Sequence, residues 1–160
     1  MARSKLMFAA AAFLTVSLWG FGQVSAETTH DPAGIWLTQA GDAKIRVNHC
    51  GSGLCGTIVW LKVPLDPRTG KPQIDDKNAN PSLANRPIIG INISSKMKSV
   101  ANNKWSGTIY NADDGKSYSS DVIVAAPRKL DVRGCLMAIL CGGETWTKVG
   151  EVTVADATEQ

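Results

Sequence analysis

Apolar and polar residues alternate with a period of two along most of this chain, and almost nothing beyond residue 26 repeats with a helical period. A period of two puts successive side chains on opposite faces of a strand. Ala43, Ile45 and Val47 alternate with Lys44, Arg46 and Asn48. Leu54–Lys62 is rich in β-branched residues and carries Trp60, which also suits a strand. Six more short segments share this character: Ile35–Thr38, Ile88–Ser95, Trp105–Tyr110, Ser117–Ala125, Leu130–Cys135 and Glu144–Val149. Turn signals separate most of them, including Gly41-Asp42, Asn111–Gly115 and Pro127-Arg128. Eight short strands with close turns predict a meander that closes into a barrel or packs as a sandwich. Closure is favoured physically because it removes exposed strand edges.

The start of the chain reads as an export signal. Arg3 and Lys5 precede an apolar run from Leu6 to Trp19, and Val24-Ser25-Ala26 is a small-x-small cleavage site. The expected organisation is a signal at 1–26, one β domain at 27–150 and a small polar tail at 151–160. Cleavage leaves 134 of the 160 residues, the size of a single domain. The expected location is periplasmic or secreted. No later run reaches the ~20 apolar residues of a membrane span. Lys and Arg number 17; without Arg3 and Lys5 they number 15, against 14 acids. That near balance, with no basic run, argues against nucleic acid as a partner.

An exported chain with four cysteines is expected to form disulfides. Cys50, Cys55, Cys135 and Cys141 allow three pairings. Cys50–Cys55 and Cys135–Cys141 are preferred because each pair is local and spans a turn between apolar stretches. The spacings are looser than those of zinc sites. Leu54-Cys55-Gly56-x-x-x-Trp60 echoes Leu140-Cys141-Gly142-x-x-x-Trp146, which reads most simply as two hairpins stapled at their mouths.

One segment breaks the alternation. Pro64–Pro87 holds prolines at 64, 67, 72, 81 and 87, so it can be neither a regular helix nor a central strand. Asp66-Pro67-Arg68-Thr69-Gly70 is a turn signal, and a helical turn near Ser82–Asn85 with Ser82 as cap is expected. Long loops of this kind are usually functional or mobile. Within it, Asp76, Asn78 and Asn80 have the alternate spacing of a calcium loop, but Pro81 and Pro87 stand where glycine and glutamate are required. Asx turns are the simpler reading. Arg86 could clamp a ligand anion or pin the loop to Asp75, Asp76 or backbone. Trp36 is either an ordinary core tryptophan or one packed under a long cation such as Lys148.

Catalysis has little support. His49 adjoins Cys50, which would have to stay reduced to act as its nucleophile. There is no Gly-x-Ser-x-Gly elbow. Asp113 and Asp114 sit in a turn that they would serve. No cofactor and no metal is expected.

Several pieces in fixed order carry a resemblance. They are Asp31-Pro32-Ala33-Gly34-Ile35-Trp36, Gly56-Thr57-Ile58-Val59-Trp60, Asp76–Pro81, Asn85-Arg86-Pro87-Ile88-Ile89-Gly90, Trp105–Tyr110, Gly115-Lys116-Ser117-Tyr118, Arg133-Gly134 and Glu144–Val149. Together they resemble the DUF2147 family of exported bacterial proteins of unknown function. The resemblance implies an eight-stranded antiparallel up-and-down β-barrel, lipocalin-like or streptavidin-like, with no assigned activity. Asn80 and Lys148 depart from the acid and arginine of the family's pattern, which weakens a cation site and costs a bidentate contact.

The reading that follows is a barrel that binds a small ligand, because small barrels either enclose one or are filled by side chains. The candidate contacts are Trp60, Trp105, Tyr110 and Tyr118 on strands, with Arg86, Asp76 and Asn78 at the mouth. The alternative is a structural or protein-interaction role in the cell envelope with a filled barrel. Whether the barrel is hollow separates the two.

Overall fold

The computed structural model describes residues 30–152 apart from Ala138; the proposed signal at 1–26 and most of the tail lie outside the described residues. Eight antiparallel strands form a closed barrel in sequential order. They are β1 (Gly34–Leu37), β2 (Ala43–Cys50), β3 (Gly53–Leu61), β4 (Asn92–Ala101), β5 (Lys104–Asn111), β6 (Lys116–Ala126), β7 (Lys129–Leu136) and β8 (Leu140–Gly150). No helix among the described residues is long and apolar enough to cross a membrane. Up-and-down order places alternate loops at opposite ends. The β2–β3, β4–β5 and β6–β7 turns lie at one end, and the β1–β2, β3–β4, β5–β6 and β7–β8 connections at the other.

The first end is packed solid. Trp36, Leu54, Met97 and Leu130 are buried there, each contributing about 1.5–3 kcal/mol through removal of apolar surface from water. Trp36 is fully buried, and its Nε1 donates to the Pro32 carbonyl at 2.9 Å. Lys148 Nζ lies 5.9 Å from the centre of the Trp36 ring and 2.8 Å from Glu151 Oε2. The side chain of Lys148 needs the space that Gly34 leaves, since a Cβ there would stand 2.3 Å from Lys148 Cε. Trp36 is thus both a core residue and the partner of the long cation. It also marks closure: β1 meets β8 at Ile35↔Gly150, Trp36↔Lys148 and Leu37↔Thr147.

Two disulfides form, Cys50–Cys55 and Cys135–Cys141, the local pairing preferred from the sequence. The first staples the β2–β3 turn at the packed end. The second joins directly opposed residues of β7 and β8 at the other end. Beyond it, Met137 and Ile139 are about four-fifths exposed.

Two expectations need correction. The fourth strand is Asn92–Ala101, not Ile88–Ser95. Gly90 takes a positive φ of 99°, and Ile91 N donates to Ile88 O at 3.1 Å, so the chain turns there. The strand then continues past Ser95 through polar residues because Met97 still points inward and fills the core. Residues 81–85 are turns rather than helix. The cap oxygen comes from Asn80, whose Oδ1 accepts from Ser82 N at 3.1 Å and from Ser82 Oγ at 2.8 Å. Asn78 Oδ1 likewise accepts from Asn80 N at 2.9 Å, the expected Asx turn.

The β3–β4 loop is locked down. Leu65↔Pro72 and Ile74↔Pro87 form short antiparallel bridges, and the Asp66–Gly70 turn closes through Gly70 N to Asp66 O at 2.8 Å. Its middle docks on the β5–β6 turn, where Lys77 Nζ donates to Asp113 O at 2.6 Å. Gly115, at φ 71°, makes this docking possible: a Cβ there would lie 1.9 Å from Lys77 O. Gly115→Ala is therefore expected to cost about 2–4 kcal/mol, combining left-handed strain with a backbone clash. Chemical denaturation checks this; a loss below half a kilocalorie would mean that the loop is not seated on the turn.

Candidate functional site

The barrel's second end is hollow, and the register explains why. Gly107, Ser120, Gly134 and Gly142 oppose one another in turn across β5, β6, β7 and β8. They lie in the same inward alternation as Val122, Val132 and Trp146. Four neighbouring strands thus offer almost no side-chain volume at one level. Met97 fills the space beside Gly107, but nothing stands within 4 Å of a Cβ built on Gly142. The result is a cavity of about 680 Å³, within the range of small-ligand sites. At the packed end the residual void is about 10 Å³.

Ile45, Ile58, Ile93, Ile109, Val132 and Trp146 supply apolar walls. Polar groups are few. Tyr118 lies against Gly134, and its hydroxyl donates to Asp114 in the β5–β6 turn. That bond holds the Asp114 carboxyl below its ordinary range and raises the Tyr118 phenol. Ser120 Oγ donates to Tyr118 O at 3.1 Å. Glu144 faces inward on β8, where its Oε1 accepts from Trp146 Nε1 at 2.6 Å. Asp42, Lys62 and Asp113 belong to the loops and strand ends of the rim.

One wall of the mouth is the β3–β4 loop, with Gln73 and Ile88 among the lining residues. A buried carboxylate fixes this wall. Asp75 has no exposed surface. It accepts from Tyr110 Oη at 2.5 Å, from Asn78 Nδ2 at 2.8 Å and from Arg86 Nε at 2.9 Å, with Arg86 Nη2 at 2.8 Å. Asn78 Nδ2 also reaches Tyr110 Oη at 3.0 Å. Burial pushes the Asp75 carboxyl upward, but the bonds from Tyr110, Asn78 and Arg86 and the guanidinium charge outweigh it and hold the group below its ordinary value. Burial and the same carboxylate raise the Tyr110 phenol.

A family model described as an uncharacterized protein conserved in bacteria, DUF2147, matches residues 34–148. The chain belongs to the DUF2147 family. Among solved structures, a similar one is described as protein HP1028 from the human pathogen Helicobacter pylori, belonging to the lipocalin family. It matches with a TM-score of 0.63 and 21% identity, over 76% of this chain and 85% of that one. That likeness concerns the fold. No curated protein matches the chain.

In this DUF2147 barrel, the residues singled out from the sequence fall into four places. Tyr118 and Tyr110 line the cavity. Arg86 and Asn78 are bound to Asp75, so Arg86 pins the loop; Asp76 beside them is exposed. Trp105 faces inward opposite Val122 and packs against the core at the solid end. Trp60 faces outward beneath Lys44, whose Nζ is 4.7 Å from the ring centre. The outward turn has a clear cause. Ile45 opposes Ile58 while Lys44 opposes Trp60, so Val59 is an extra residue and the bulge reverses the alternation. Trp146, its counterpart in the sequence echo, faces inward. The echo is therefore not a structural repeat. Cys50 is bridged to Cys55, and His49 Nε2 lies 2.9 Å from Asp31 Oδ1.

Sequence reasoning missed Glu144, Ser120 and the row of small residues. The available signal was a glutamate two positions before an inward tryptophan, with Gly134 and Gly142 at matching positions of one hairpin.

Asp75→Asn is expected to cost about 2–3 kcal/mol, less than a fully buried pair because Arg86 stays one-third exposed and can be hydrated. The Asp75 carboxyl is lowered on folding, so the stability it provides is present above its unfolded value of 3.8 and disappears as pH falls through the lower folded value. Urea midpoints measured from neutral pH to pH 2 should fall through that acid window in the parent and fall less steeply in the variant. Equal slopes would mean that this carboxylate contributes no acid sensitivity.

Proposed function

We propose that this protein is a binding module that holds a small, largely apolar molecule in the open half of its barrel, outside the cytoplasm. The supporting observation is the cavity itself, with apolar walls, few polar groups and a row of small residues that keeps it empty. A protein whose barrel served only as a scaffold would gain stability by filling that volume, because voids forfeit packing energy. The export signal read in residues 1–26 and the two disulfides support a periplasmic or secreted location. N-terminal sequencing of the native protein should give Glu27 as the first residue; retention of Met1 would remove the export reading.

Exposed Met137, Ile139 and Leu140 favour a second role, a protein contact through the β7–β8 tip. Cross-linking in an envelope preparation should then lose its partner in Ile139→Glu while cavity binding persists.

The binding reading has a direct test in Gly142→Leu, which places a side chain in open space inside the cavity. The variant should fold with a melting temperature equal to or above that of the parent. Parent protein screened by calorimetry against small apolar molecules should bind and be stabilised by about 2.7 kcal/mol at a hundredfold excess over Kd. The variant should lose at least tenfold in affinity. Equal binding by both proteins would place the ligand elsewhere.

A further inference from the structure

Within the proposed binding site, and resting on that reading, the charge arrangement points to one ligand class. We propose that the cavity selects an apolar molecule carrying a single cationic amine head, which Glu144 receives. Glu144 is the one carboxylate on an inward strand position of the hollow end among the described residues; Asp42 and Asp113 lie at the rim. Its Oε1 is held by the indole of Trp146. Its Oε2 has no hydrogen bond or ion pair among the described residues.

That half-buried oxygen is an acceptor left without a protein partner and turned to the cavity, where an ammonium head could donate to it in a charge-assisted hydrogen bond. Among the described residues that line the cavity, Lys62, just past the end of β3, is the only cation, against three carboxylates: Asp42, Asp113 and Glu144. The lining is therefore net negative, which favours a positive guest and disfavours a fatty acid or other anion. Trp146 adjoins Glu144 on the same wall, and Tyr118 lines the mouth. The indole bond also fixes the rotamer of the carboxylate, so its free oxygen is presented to a ligand without further ordering cost. The apolar tail would occupy the level that Gly134 and Gly142 leave open.

The test compares three probes of equal chain length, decylamine, decanol and decanoate, titrated calorimetrically into the full protein at moderate ionic strength. Decylamine should bind about tenfold or more tightly than decanol, the value of a charge-assisted hydrogen bond, and decanoate should bind most weakly. Glu144→Gln should remove the preference for decylamine over decanol, with an unchanged circular dichroism spectrum and melting temperature reporting that the variant is folded. Glu144→Lys should invert the order of amine and acid. Decanol binding without an amine preference in the parent, or a preference that survives Glu144→Gln, would overturn this inference and leave the binding reading standing. Failure of all three probes to bind would overturn both.

Discussion

Closure of the sheet through its shortest strand governs everything else in this protein. Four residues of β1 must join β2 to β8, and only three opposed pairs do the latter. So brief a ladder would fray if it relied on backbone hydrogen bonds alone. Trp36 anchors it from inside, with its indole tied to the Pro32 carbonyl and its face towards Lys148 on the strand being joined. The seam is therefore welded where the core is densest. The rest of the barrel can then be open at its far end without unzipping.

Asp75 plays a comparable part for the long loop. A segment with five prolines makes few regular backbone bonds, and it needs another source of order. One buried carboxylate gathers a phenol, an amide and a guanidinium from three places in the chain. Charged hydrogen bonds in a dry setting are strong, and removal of one partner strands the others. The loop becomes part of the wall instead of a mobile flap.

Much of this was legible in the residues. The alternation of β2, of β7 and of β6 as far as Val124 survives in the register, and both cystines join the cysteines that lie nearest in the chain. The resemblance to DUF2147 carried the barrel topology. Other features resisted reading for physical reasons. A single extra residue at Val59 turns Trp60 away from the interior, and bulges leave no mark in composition. Asp75 looked less informative than Asp76 and Asn78, because burial is a tertiary property. The hollow was invisible for the same reason: Gly107, Ser120, Gly134 and Gly142 are far apart along the chain and become neighbours only once four strands are in register.

The division of the barrel into a solid half and a hollow half has an evolutionary meaning. Substitutions around Trp36, Leu54 and Leu130 strike the folding free energy directly, whereas those around Gly142, Glu144 and Tyr118 reshape the chamber with little structural penalty. A lineage built this way could recarve that chamber many times over and still inherit the same vessel.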